Sequence, residues 1–484
     1  MKTKRVAVIG GGLGGLTAAG ELSRAGHHVT LFERGLHLGG KAQTSHVDGF
    51  TLDAGPTLLT LPAVVREGFE RLGALDLLPR FIELPLQCDY RWDDGAQLQL
   101  HRELDAAAAS AERVRAGEGD ALRRFYETAA TIYRAAGEPY LEAPFVGGLD
   151  FMRRVVRRGL GALWSGARLS TLDDLAAQHF ASPQLRQFVG RFATYAGASP
   201  FEASAAFALI PHLERAFGVH HVEGGMGALS RALALALERL GVVVNLGVSA
   251  TWRAEGAQFF AGPAGGEEQF DAVVVNADPL VASPRPEEPL ALSGYVLHLG
   301  VDRRVSLPHH TVRFARNSRE EFTALFDGQM PEDLTLYVCH PAATDPQMAP
   351  KGQSGLFVMV NAPALEAGPD DSSELVWAVR AEGLRERCVA QVRALSAELA
   401  GARIRVLDER TPIHFARTGA PGGSIYGFLP HGRFGPFRRP RMRSSVPGLF
   451  FAGGGTHPGG GVPLVMLSGH FAAQLAAQHL EARA

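Results

Sequence analysis

Three glycines and one acid carry the first chemistry. Gly10, Gly12 and Gly15 stand as GxGxxG directly behind the apolar run Arg5–Ile9. Glycine suits each position for its own reason: a tight turn, close approach of backbone to a pyrophosphate, and contact between helix and strand. Glu33 follows about twenty residues on, where a carboxylate can accept hydrogen bonds from ribose hydroxyls. The pattern is that of a dinucleotide site, and Ala19 keeps the packing close one turn later.

Such a site needs a strand, a turn, a helix and a second strand, in that order. Arg5–Ile9 reads as a buried strand, residues 16–25 as a helix ending before Gly26, and His28–Glu33 as the second strand. The free N–H groups and partial positive charge of the helix start then face the phosphates. Further on, residues 88–100 read as a hairpin turning at Asp94 and Gly95. From Glu103 to about Arg215 the pattern is helical, broken at Gly117, Gly147, Gly166 and Pro183. A helix over 227–240 leads to strands at 242–246 and 270–276, and a second set of strands lies at 295–301, 334–339 and 356–361. A helix over 373–399, a strand at 448–452 and a helix from about Leu464 complete the chain.

The implied class is α/β: a discontinuous Rossmann-like dinucleotide-binding domain from 1–85, 216–290 and 415–484, with an inserted α+β substrate domain from 86–215 and 291–414. With 484 residues, 46% hydrophobic and 20% charged, the chain has ample material for both cores. A net charge of -2 provides no footprint for nucleic acid. Cys88, Cys339 and Cys388 lie far apart without CxxC spacing, which fits a reducing compartment and suggests neither disulfides nor a metal site. The basic start, Lys2, Lys4 and Arg5, superficially imitates a secretory signal, but glycines interrupt the apolar run that follows. A cytoplasmic location with peripheral membrane association is therefore expected.

The cofactor is narrowed by the continuation ERGLHLGGKAQT from Glu33. It resembles the extended motif of the GG-doublet flavoproteins, which implies FAD and carries over Arg34, Gly40 and Lys41 as cofactor contacts. A solvated turn with a surface lysine is the plainer reading of the same residues. At the far end GLFFAGGGTHPGGGVPLVMLSG, from Gly448, is a strand, a glycine cluster and a helix start. This suits backbone N–H groups for the flavin and its ribityl chain. The resemblance places Gly55, Pro56, Val248, Gly453, Gly454, Gly461 and Val462 at the cofactor; Gly454 replaces the acid that many flavoenzymes carry after the Ala-Gly of this motif.

Taken together, DAGPTLLTLP from Asp53, EGGMGALSRAL from Glu223, VVVNADP from Val273, HHTV from His309, LYVCHPAATDP from Leu336 and AGGGTHPGGGVP from Ala452 resemble the carotenoid and phytoene desaturases, with the amine-oxidase-like fold of that family. GSIYG from Gly423, RFATYAG from Arg191 and PEDLTLY from Pro331 look closest to 1-hydroxycarotenoid 3,4-desaturases, also called methoxyneurosporene dehydrogenases. The resemblance implies removal of two hydrogens from a carbon pair beside a polyene. Without a carbonyl to acidify the C–H bond, hydride transfer to flavin is the reasonable route, and catalysis is mostly orientation in a dry channel. His457 is a catalytic candidate, with a turn histidine bonded to backbone as the alternative. His309, His310 and His340 are candidates for placing a substrate hydroxyl. Asp53 is expected to fix the turn that presents Gly55 and Pro56.

A carotenoid must be collected from a bilayer. In residues 151–164, Arg153, Arg154, Arg157 and Arg158 share one helical face opposite Met152, Val155, Val156 and Leu163, as for a helix lying on an anionic membrane; an ordinary charged surface helix is the alternative. The basic run 437–443 reads as a loop. An amine oxidase and a flavin-free lipid or prenyl-protein carrier on the same fold are the competing functions, the second disfavoured by the intact Gly10, Gly12 and Gly15.

Overall fold

The computed structural model describes residues 3–145, 147–157, 170–256, 258–282, 288–366, 369–432 and 434–483. A five-stranded parallel sheet runs in the order Leu449–Phe451, Ala272–Val275, Arg5–Ile9, His28–Glu33, Val243–Leu246. Val6 pairs with Ala272 on one side, and Ala7 with Thr30 on the other. Strands of this kind are apolar on both faces because both are covered. Val6, Val8, Leu31 and Val274 meet the helices Leu13–Arg24, Gly227–Arg239 and Val462–Glu481, whereas Ala7, Phe32, Val273 and Val275 meet Phe259 and Phe270. The second cover is a three-stranded meander, Thr251–Glu255, Gln258–Gly262 and Glu268–Phe270.

The other sheet has seven strands, ordered Ile404–Arg410, Ser293–Val301, Ser354–Ala362, Leu336–Cys339, His310–Arg313, Leu86–Arg91, Gln97–His101. All neighbours are antiparallel except His310–Arg313 beside Leu86–Arg91. The long helix Asp371–Ala394 lays Trp377, Leu384, Cys388 and Val392 on Leu297, Leu299, Val358 and Val360. Helices Leu104–Val114, Glu118–Ile132, Leu172–His179 and Pro183–Gly190 gather around Phe125, Phe180 and Phe188.

Boundaries differ from the sequence expectations where caps decide them. The first helix begins at Leu13, three residues early, because the glycines after the turn already have helical backbone. The helix expected over 373–399 stops at Ala394, and Ser396 caps a separate turn, Ala397–Ala400. The last helix starts at Val462, since Pro463 is tolerated in a first turn whose N–H groups lack helical partners. The turn at Asp94 and Gly95 is present between Leu86–Arg91 and Gln97–His101, with Gly95 at φ +85°.

The membrane-facing helix requires correction. Gly148–Arg157 does form, but Arg154 is buried: its guanidinium donates to the carbonyls of Pro139 at 2.9 Å and Ala143 at 3.1 Å, and pairs with Asp150 at 3.0 Å. The exposed face instead carries Leu149, Met152 and Val156 beside Arg153 and Arg157. Helical periodicity placed four arginines on one face, but the neighbouring turn, which ends in carbonyls without helical partners, draws one of them inward. Arg158, Leu163 and Trp164 lie outside the described residues.

Candidate flavin and substrate site

The fingerprint glycines are set by what lies against them. Gly10, at φ +103°, donates its N–H to Phe32 O at 2.8 Å; a methyl there would lie 2.8 Å from Asn276 O. Methyls at Gly12 and Gly14 would lie 2.9 and 2.7 Å from the Asn276 amide, and one at Gly15 only 2.0 Å from Gly10 O. Asn276 is thus clasped by the turn, donating to Gly10 O at 3.3 Å, with its own Oδ1 buried and unpartnered. No side chain caps the first helix, so its leading N–H groups remain available beside the cavity lined by Gly10, Gly12 and Leu13.

Glu33 is held by two backbone amides, Gly11 N to Oε2 and Gly35 N to Oε1, both at 2.7 Å. Val248 N in turn donates to Glu33 O at 2.9 Å. The doublet lies directly on the fingerprint: Gly39 N donates to Gly11 O at 2.7 Å, and a methyl at Gly40 would lie 3.2 Å from Gly12 Cα. Gly55 lies closer still to its neighbour: a methyl there would meet the Lys41 carbonyl oxygen at 2.8 Å. One cavity of about 2110 Å³ is lined by Gly10, Gly12, Glu33, Arg34, Gly40, Lys41, Gly55, Pro56, Val248, Gly453, Gly454, Gly461 and Val462. Of the expected cofactor residues, Gly15 alone does not line it, in keeping with its role in helix-to-strand packing. Uncapped amides, a glycine-lined cradle and a carboxylate held in place are the features a dinucleotide requires, so the residues present fit FAD.

Lys41 does not simply face solvent. Its ammonium donates to Ile425 O at 2.6 Å, and burial lowers its pKa while Asp278 opposes the shift. Arg439 donates to Gly454 O at 3.0 Å. Asp278, whose carboxyl burial raises, receives Leu280 N at 2.9 Å and faces the same cavity. Asn276, Asp278 and Arg439 were not assigned as site residues from the sequence. The available signal was Asn276 and Asp278 directly after the strand Ala272–Val275, one alanine and three valines; Arg439 meets the glycine cluster in space rather than in the chain.

The histidines need correction. His457 is not part of the cavity lining: its Nε2 meets Ala143 O at 3.2 Å, its ring lies against Tyr140 and Phe471, and burial holds its pKa down to about 3. It is the turn histidine, because an aromatic wall takes the ring away from the glycines. His309, His310 and His340 also lie behind the wall. His309 Nδ1 bonds Thr344 Oγ1 at 2.7 Å, His340 Nδ1 donates to the Leu307 carbonyl at 3.1 Å, and His310 Nδ1 bonds the Tyr337 hydroxyl at 2.9 Å. Burial lowers all three pKa values, to about 3 for His310. Tyr337, which lines the cavity, links His310 to it, and its hydroxyl also bonds Thr57 Oγ1 at 2.6 Å. Asp53 receives Met226 N at 2.8 Å, at the start of the helix Gly227–Arg239, while burial pushes its carboxyl up to about 7.

Beyond the cofactor residues the same cavity continues between the seven-stranded sheet and the helices. Val296, Phe357 and Met359 line it from the sheet, and Phe207, Ile210 and Leu213 from the helical side. Tyr140 and Phe437 form part of its wall and touch Phe151 of the exposed helix, at ring distances of 6.3 and 4.9 Å.

The model of the family described as flavin containing amine oxidoreductase matches residues 13–477. A hydroxyneurosporene desaturase from Cereibacter sphaeroides is 36% identical, over 99% of this chain and 98% of its own. A zeta-carotene-forming phytoene desaturase from Myxococcus xanthus is 30% identical, over 96% and 92%. Among solved structures, cyclohexylamine oxidase from Brevibacterium oxydans superposes with a TM-score of 0.63 at 16% identity, covering 99% of this chain and 100% of that one, a likeness of fold. With a flavin cradle of this geometry and FAD as its cofactor, the chain belongs to the flavin containing amine oxidoreductase family and, within it, to the carotenoid desaturases.

Proposed function

We propose that this enzyme desaturates an acyclic carotenoid, and that its preferred reaction is 3,4-desaturation of a 1-hydroxycarotenoid. The observation that carries the reading is the continuity of one cavity of about 2110 Å³ from the dinucleotide residues into an apolar chamber. Sites for a single small ligand run to roughly 300–1,000 Å³, so a second long molecule has room beside the dinucleotide. FAD, when bound, supplies the two-electron acceptor for a hydride. The chain's own share is orientation and exclusion of water: Val296, Phe357, Met359, Ile210 and Leu213 present an apolar wall on which a polyene lies beside the Gly55 and Pro56 turn. As a C–H bond breaks, the positive charge left on carbon spreads along the polyene. Loss of the neighbouring proton then completes the double bond without a strong base.

With liposomal phytoene, neurosporene and 1-hydroxyneurosporene offered separately, the expected outcome is fastest conversion of the hydroxylated substrate, its product carrying one more double bond by chromatography. Turnover of phytoene alone would refute the substrate assignment and leave the phytoene desaturase reading.

The second part of the proposal concerns delivery. No described helix is long and apolar enough to cross a membrane. Leu149, Met152 and Val156 are 82%, 43% and 45% exposed, on a helix whose Phe151 touches the cavity wall. An apolar stripe rimmed by Arg153 and Arg157 suits an anionic bilayer surface, next to an entry for a lipid-soluble substrate. Changing Leu149, Met152 and Val156 together to serine is expected to lower sedimentation with anionic liposomes at least tenfold, since each apolar side chain contributes about 1 kcal/mol or more on burial. Arg153→Gln with Arg157→Gln should weaken binding most at low salt. Equal sedimentation of all three proteins would remove the helix from consideration.

A further inference from the structure

Arg191 opens the RFATYAG segment and lies inside the cavity, where the hydrocarbon reading assigns it no work. Its guanidinium carbon lies 5.2 Å from the Tyr195 ring centre, 5.6 Å from Tyr90 and 5.7 Å from Tyr337. Nη1 donates to the Tyr90 and Tyr195 hydroxyls, both at 3.3 Å, and Tyr195 passes the contact on to Glu214 Oε1 at 2.5 Å. Nη2 and Nε make no hydrogen bond to any described residue, nor are they among the atoms sealed within the protein. They open on the cavity that Arg191, Tyr195 and Tyr337 line.

A guanidinium has five donors and cannot shed its charge, so holding one in an apolar chamber is costly unless acceptors meet it. A channel built only for a hydrocarbon gains nothing from that cost. We propose that Arg191, framed by Tyr195 and Tyr337, binds the oxygen function of the substrate, a hydroxyl or ether oxygen near the carbons being desaturated. The inference rests on the desaturase reading above and deepens it. Position supports it as well as chemistry. Tyr337, under the guanidinium, bonds Thr57, the residue that follows Gly55 and Pro56 at the cofactor turn. An oxygen held by Arg191 is thereby kept on the cofactor side of the chamber, as desaturation only a few bonds from that oxygen requires. Glu214 balances the buried charge through Tyr195 without reaching into the cavity lining itself.

The test compares kcat/KM for 1-hydroxyneurosporene and neurosporene in flavin-loaded wild type, Arg191→Met and Arg191→Lys. Hydrogen bonds from charged donors set the scale, and the ratio of the two values is expected to fall about 10- to 100-fold in Arg191→Met. The loss should sit in KM for the hydroxylated substrate, with partial recovery in Arg191→Lys. Because removal of the arginine leaves Glu214 unbalanced, Arg191→Met combined with Glu214→Gln serves as the better-folded form, and the same fall in ratio is expected from it. A wild type that prefers the hydroxylated substrate while both Arg191→Met proteins keep that preference overturns the role of Arg191 alone. A shifted flavin absorption spectrum with an unchanged ratio would also overturn it, by placing the arginine on the cofactor. A wild type without any preference would overturn the hydroxycarotenoid reading, and this inference with it.

Discussion

A Gly15→Val protein is expected to purify without flavin colour and with a lowered melting temperature. The first added carbon would lie 2.0 Å from Gly10 O and 3.1 Å from Asn276 Cβ. Gly10 is backbone, pinned by its N–H bond to Phe32 O, so it cannot swing aside as a flexible side chain would. The helix Leu13–Arg24 would have to back away from the strand Arg5–Ile9, carrying its first-turn N–H groups with it. Overpacking of this kind costs about 1–3 kcal/mol, and a backbone collision lies at the upper end. The displaced amides and the altered gap together should lower flavin affinity at least a hundredfold, about 2.7 kcal/mol. Flavin absorbance per mole of purified protein checks this. A yellow variant with the stoichiometry of wild type would show that the helix start does not bear on the cofactor.

The second large effect is expected at Phe50, far from the fingerprint in the chain. Thr44–Val47 and Phe50–Asp53 form a hairpin, joined by Asp48 and Gly49, both at positive φ as a two-residue turn of this hand requires. Phe50 is fully buried, and its ring lies on Gly300 and Gly355, which face each other across the neighbouring strands of the seven-stranded sheet. Methyls at those glycines would lie 3.1 and 3.2 Å from the ring. The glycines therefore form a flat seat, and the seat fastens the hairpin that leads into Asp53 and the Gly55 and Pro56 turn. Phe50→Ala should cost about 3–5 kcal/mol by loss of the ring and the cavity left behind. Loosening the turn should also reduce flavin content, whereas Phe50→Leu should retain most of both. Denaturant midpoints and flavin absorbance measured on the same samples test the coupling; a destabilised Phe50→Ala protein with full flavin content would separate the seat from the cofactor turn.

Local patterns in the chain were informative where one segment settles its own structure. The strand, turn and helix at Gly10, Gly12 and Gly15, the hairpin at Asp94 and Gly95, and the strand beneath the glycine cluster at Gly453 are each dictated by neighbours within a dozen residues. The hairpin of Thr44–Val47 and Phe50–Asp53 was equally legible, from Asp48 and Gly49 between alternating residues, yet the expected elements did not include it. The helix Gly148–Arg157 shows the limit of periodicity. Spacing puts Arg154 with Arg153 and Arg157, and only the carbonyls of Pro139 and Ala143 explain why it turns inward.

By itself, then, the sequence determined that a dinucleotide is bound and which glycines form the tight turn and the uncapped helix start, because both depend on residue type and short spacing. It also pointed to the desaturase family. Which polar side chains face the cavity was decided only by the tertiary structure. His457 and His310 lie behind the wall, while Arg191, Asp278 and Arg439 line the chamber. The reason is physical: a side chain's partners come from other strands and helices, hundreds of residues away in the chain, as for His457 with Ala143 and Lys41 with Ile425. Burial and pairing of that kind depend on how the two sheets are brought together around one cavity, and short spacing contains no record of it.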